Sequence, residues 1–191
     1  MSVLKKKYQV SLLLDPFRVS IPVDGYQSQG PTKARVTIVE FTDLECPYCL
    51  QINTALKQIR RDYADSVRMV MHPFPLAQLH PNSIKAAEAC YCAADQGKFW
   101  EYRNKVFEDQ KNMSVLSLSM KAEDMGLEVK QFEQCLSVGK YAGRIKADIE
   151  AGQALGVNST PTLFINGPPL KGALPVQEIV RVIEDELARI K

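Results

Sequence analysis

No stretch of this sequence approaches the ~18 consecutive apolar residues that a membrane-crossing helix requires, so none is expected. The N-terminus offers only Leu12-Leu13-Leu14, too short for the h-region of a signal peptide. A chain opening on Met1-Ser2 without a leader fits a cytosolic protein, or an exported one whose leader has been trimmed. Charge of one sign is lacking as well. The 24 Lys and Arg stand against 22 Asp and Glu, a formal net charge of +2, which gives no electrostatic reason to expect nucleic acid. The short basic run Lys5-Lys6-Lys7 reads as a solvated end. Internal repeats and low-complexity tracts are absent. With two histidines in the chain, His72 and His80, a zinc site would have to be built on Cys46/Cys49 with Cys90/Cys92, and Pro47-Tyr48 is not the usual zinc-knuckle filling. No metal is expected. What is present is ordinary: 191 residues, 46% of them hydrophobic, enough for one domain, with or without an insertion, around a real core.

The informative presence is Cys46-Pro47-Tyr48-Cys49, directly after the apolar run Val36-Thr37-Ile38-Val39-Glu40-Phe41. Two cysteines three apart at the start of a helix share a face, close enough to make and break a disulfide. The partial positive charge of the helix N-terminus favours the thiolate of the first cysteine. Thiolate is the attacking species in disulfide exchange, so the motif implies a reaction rather than a crosslink.

Along the chain, Phe17, Val19, Ile21 and Val23 alternate with polar residues or proline, the period of a half-buried strand, and Pro22 would confine it to a sheet edge. Residues 25–33 read as a loop. A strand at 36–41, a turn at 42–45, a helix from the CxxC to about Tyr63 and a strand at 67–71 form a right-handed βαβ unit. Residues 82–155 contain no convincing strand and read as a block of helices. The α/β pattern resumes at Thr162-Leu163-Phe164-Ile165, followed by an Asn166-Gly167 hairpin turn, a short return strand, and a helix from near Pro175. That helix carries the stripe Ile179, Val180, Ile183, Leu187 and Ile190. The expected organisation is an N-terminal extension with an edge strand at 1–33, an α/β core at 34–80 and 156–191, and an inserted helical subdomain at 81–155.

This α/β order resembles a thioredoxin-like fold with a helical insertion between its βαβ and ββα halves. The segments Val36 to Cys49, Gln96-Gly97-Lys98-Phe99-Trp100-Glu101 and Gly156-Val157-Asn158-Ser159-Thr160-Pro161-Thr162 resemble those of the DsbA-like thiol–disulfide oxidoreductases, over roughly residues 31–191. The resemblance implies that Cys46 is the exposed nucleophile and Cys49 the more buried resolving thiol. It implies that Pro161 is a cis-proline facing them, leaving the Thr160 backbone open to an extended substrate that adds as a strand beside Pro47 and Tyr48. Glu40 matches the place of a buried acid under the disulfide. Unpaired there, its pKa would rise and it could take the proton of Cys49, the alternative being a strand-end Glu reaching solvent. Cys92 and Cys135 match positions of a second disulfide in some members. Cys90 and Cys92 lie about 200° apart around a helix, so both cannot face Cys135. Three free core thiols are the alternative.

Function follows as an expectation: disulfide exchange with cysteine-containing protein substrates in the periplasm or another extracytoplasmic space, no cofactor, and a separate redox-recycling partner. Oxidase is the leading direction; isomerase, reductase and a non-catalytic peptide-binding or chaperone module are the alternatives. Many strongly oxidising relatives carry Pro-His between the cysteines, so Pro47-Tyr48 predicts a milder oxidant.

Overall fold

The computed structural model describes residues 18–167 and 169–189. Lys5, Lys6, Lys7, Phe17, Pro168 and Ile190 lie outside them. In chain order the elements are β1 (Gln27–Gln29), β2 (Val36–Thr42), α1 (Pro47–Asp62), β3 (Val67–Pro73), α2 (Ser83–Ala94), α3 (Phe99–Glu108), α4 (Val115–Asp124), α5 (Val129–Ser137), α6 (Ala142–Ala154), β4 (Thr162–Ile165), β5 (Pro169–Lys171) and α7 (Val176–Arg189).

The strands form one sheet in the order β1-β3-β2-β4-β5. β2 and β3 are parallel, in register from Val36 beside Val67 to Thr42 beside Pro73, and the other pairs are antiparallel. A parallel pair needs a crossover, and α1 supplies it. β2 lies in the middle of the sheet. Its apolar content is explained by burial on both faces, with Thr37 alone only half-buried. Val36 and Ile38 face α1 and α7, where they join Ile52, Leu56, Ile59, Ile179 and Ile183. Val39 and Phe41 face the other way, joining Val70, Phe74, Val157 and Phe164. The close fit on that second face explains Gly152 in α6, where a Cβ would stand 2.7 Å from the Phe74 ring.

α2 to α6 pack around a third core that includes Tyr102, Phe107, Leu118 and Phe132. Leu44, Cys46, Cys49 and Met71 belong to this same core, so the CxxC lies where the helical layer meets the sheet. None of the described helices is long and apolar enough to cross a membrane.

One expectation is corrected. Residues 18–23 form no strand, and the edge strand is β1, four residues beyond them. Val19, Ile21 and Val23 do turn inward, against the Phe41 face of the sheet. An alternating segment laid across a sheet face buries every second side chain as a strand would. Its backbone, however, has no edge to pair with.

Candidate active site

Cys46 is the N-cap of α1, with extended backbone (φ −75°, ψ 123°) and Pro47 in the first turn, where a missing N–H costs no hydrogen bond. Cys46 is 4% exposed and Cys49 fully buried. Cys46 is the more exposed of the two, but it is more enclosed than expected, because the residues around it close over the turn. Gln110, just after α3, donates from Nε2 to both the Leu44 and Cys46 carbonyls at 2.8 Å. On the other side the Cys46 thiol donates to the Thr160 carbonyl at 3.6 Å. The Thr160–Pro161 bond is cis, and Thr160 is 7% exposed, so its backbone is less open than expected. Pro47 is exposed and Tyr48 is 63% exposed, forming the outer rim.

The two thiols are driven apart electrostatically. A hydrogen bond from the Cys49 thiol, helped by the Cys49 and Tyr48 backbone N–H groups and the Thr160 side chain, lowers the Cys46 pKa to about 5 against the opposing effect of burial. Burial and the neighbouring Cys46 sulfur push Cys49 far upward, although the Asp43 N–H donates to its sulfur at 3.4 Å. Two buried hydroxyls, Thr42 Oγ1 and Thr160 Oγ1, have no other hydrogen-bond partner and are left to the two sulfurs. Each favours a thiolate, Thr42 at Cys49 and Thr160 at Cys46. One cysteine is thus poised to attack or leave as thiolate, while its neighbour holds its proton.

Glu40 is 2% exposed, on the α1 face of β2, two residues before Thr42. It is not the unpaired acid the sequence suggested, nor does it reach solvent. Arg103 of α3 donates to its Oε2 at 2.7 Å and to Asn53 Oδ1 of α1 at 2.6 Å. Arg103 and Gln110 were missed in the sequence; the available signal was Arg103 within the apolar stripe Phe99, Tyr102, Val106 of α3.

The histidines separate. His80 Nδ1 lies 2.8 Å from Oδ2 of buried Asp43, the turn residue that also accepts from Leu76 N and Glu45 N. Glu45 accepts from the backbone and side chain of Asn82, completing the tie between the active-site turn and the 76–82 loop. His72 is not in that loop. It is buried in β3 on the Phe41 face, stacked on Tyr26, and burial lowers its pKa to about 4. The structure joins Cys92 and Cys135 in a disulfide between α2 and α5. Cys90 is fully buried, and desolvation raises its pKa to about 12. No cluster of metal-ligating side chains occurs among the described residues.

A family model described as Thioredoxin matches residues 24–185. The chain belongs to the thioredoxin family. Among solved structures, this thioredoxin-family chain is similar to oxidised BdbD of Bacillus subtilis, with a TM-score of 0.79 and 24% identity over 92% of this chain and 100% of that one. It is also similar to the thiol-disulfide exchange protein alpha-DsbA2 of Wolbachia pipientis, with a TM-score of 0.73 and 22% identity over 84% and 86% of the two chains. The fold is therefore DsbA-like. Among curated proteins, a sodium/proton antiporter, NhaA 3 of Salinispora tropica, is 36% identical over 170 residues, 88% of this chain and 26% of the antiporter. The chain spans about a quarter of the length of the curated relatives it matches.

Proposed function

We propose that the chain is a thiol–disulfide oxidoreductase acting as an oxidant on cysteine-containing proteins in the periplasm or another extracytoplasmic space. A substrate thiolate attacks Cys46 Sγ of the Cys46–Cys49 disulfide. That bond breaks, Cys49 leaves and takes up a proton, and a mixed disulfide forms at Cys46. A second substrate thiolate then attacks the substrate sulfur of the mixed disulfide and expels Cys46 as a thiolate. The substrate gains a disulfide, and the chain is left as the dithiol, two electrons richer. A recycling partner must remove those electrons.

The observation that carries the direction is the lowered Cys46 pKa. A thiolate stable at neutral pH stabilises the dithiol, and a stabilised dithiol makes its disulfide oxidising. The Cys92–Cys135 disulfide supports an oxidising compartment. A groove of about 530 Å³ beside the cis-proline loop, lined by Phe74, Leu76, exposed Leu79, Ile149 and Val157, supports an extended apolar segment as substrate.

Equilibration in glutathione buffers tests the direction. The expected potential lies clearly above the roughly −270 mV of thioredoxin, though below that of Pro-His relatives. A value at or below the thioredoxin one would reassign the chain as a reductase. In parallel, Cys49→Ala should accumulate a Cys46-linked mixed disulfide with a disulfide-bonded protein substrate, because the Cys46 thiolate can attack that bond but no Cys49 thiol resolves the product; a binding module would form none.

A further inference from the structure

Away from the cysteines, α1 and α3 face each other across a cleft of about 180 Å³, floored by Leu56 and Met69. From α1 it receives Asn53, Lys57 and Arg60, spaced at i, i+4 and i+7, with Arg61 beside them. From α3 it receives Trp100 and Arg103. Four cationic side chains therefore line a small space whose lining includes no carboxylate. The carboxylates paired with these cations are Glu40, committed to Arg103, and Glu108, 65% exposed and 3.8 Å from Lys57. Arg60 and Arg61 have no ion-pair partner among the described residues.

A second observation is independent of charge. Three buried N–H donors on residues lining this cleft have no acceptor: Arg60 Nε, Trp100 Nε1 and Arg103 Nε. Arg103 is itself 97% buried by the measure of its 3% exposure, and its other nitrogens are used by Asn53 and Glu40. Buried donors without acceptors are costly, and clustering them with unbalanced positive charge makes the cleft incomplete as it stands.

We propose that this cleft binds a small tetrahedral oxyanion of the phosphate or sulfate type, free or carried by a small ester. Such an anion supplies charge and acceptors to the accessible head groups of Lys57, Arg60 and Arg61, and the forked guanidinium geometry suits it. The site is distinct from the cysteine pair and does not depend on its redox role.

The test uses the full chain with inorganic phosphate in one arm and glycerol 3-phosphate in another, ionic strength being held constant with sodium chloride. The single tryptophan provides one indole N–H resonance, Trp100 Nε1, which should move saturably with phosphate. The unfolding midpoint should rise with the same dependence. Lys57→Gln and Arg60→Gln, both on partly exposed side chains, should each weaken binding at least fivefold, while Lys146→Gln on exposed α6 should not. Binding of phosphate alone marks a free-anion site, and binding of both marks a phosphomonoester site; either supports the proposal. An indole resonance that follows only ionic strength, or unchanged affinity in Arg60→Gln, overturns it.

Discussion

At the scale of single residues, the chemistry rests on a difference between two identical side chains three positions apart. Cys46 has its pKa lowered from 9.0 to about 5 within the folded dithiol. A group whose folded pKa is depressed stabilises the fold above its unfolded pKa and loses that contribution as pH falls through the folded value. The disulfide form has no such group. Thermal unfolding of both forms should therefore show the dithiol gaining on the disulfide from about pH 5 to pH 9, by a few kcal/mol in all, with a flat difference below pH 5. Cys46→Ser should remove the slope; a slope that survives it would assign the effect elsewhere. The thiol pair was legible in the sequence because spacing and helix position carry its chemistry. The Thr42 and Thr160 hydroxyls were not, since a threonine beside a strand or a proline reads as ordinary until the sulfur it faces is located.

At the scale of elements, the Glu40–Arg103 pair shows what a local reading omits. Glu40 stood out in β2 because a charge in a doubly buried strand needs an explanation. Its partner is 63 residues away, on a helix between β3 and β4, and no periodicity links the two. The pair ties β2 and, through Asn53, α1 to α3. Arg103→Leu leaves a buried carboxylate without its counter-charge and should cost roughly 3–5 kcal/mol, read from urea unfolding. Glu40→Leu/Arg103→Leu removes both charges and should recover most of that loss. A double variant no more stable than Arg103→Leu would mean the arginine acts through packing on Trp100 and Phe107 instead. The segment at 18–23 failed for a related reason. Alternation records which side chains turn inward, and this is the same for a strand and for an extended chain crossing a sheet face, so the backbone pairing that separates them was invisible.

At the scale of the molecule, the site belongs to the core of the helical layer as much as to the sheet. Cys46 and Cys49 share one apolar cluster with Cys92, Cys135, Tyr102, Phe132 and Leu136. Gln110 and Arg103 reach the active-site turn and β2 from the same layer. Cys46 therefore shares its core with α2 to α5, none of which lines the proposed substrate groove. The Cys92–Cys135 disulfide, spanning 43 residues, restricts the unfolded chain over most of this layer. Replacing both cysteines by alanine should lower stability by about 2–4 kcal/mol from the loop closed. With Cys46 and Cys49 reduced in this variant, urea should abolish helical circular dichroism and the fast, low-pH alkylation of Cys46 in a single coincident transition. The coincidence is expected because Cys46 and Cys49 pack in the same core as the helices, and Gln110 ties the Leu44 and Cys46 carbonyls to that layer. If the helices melted at lower urea while Cys46 kept its depressed pKa, the sheet and its loops alone would tune the thiol.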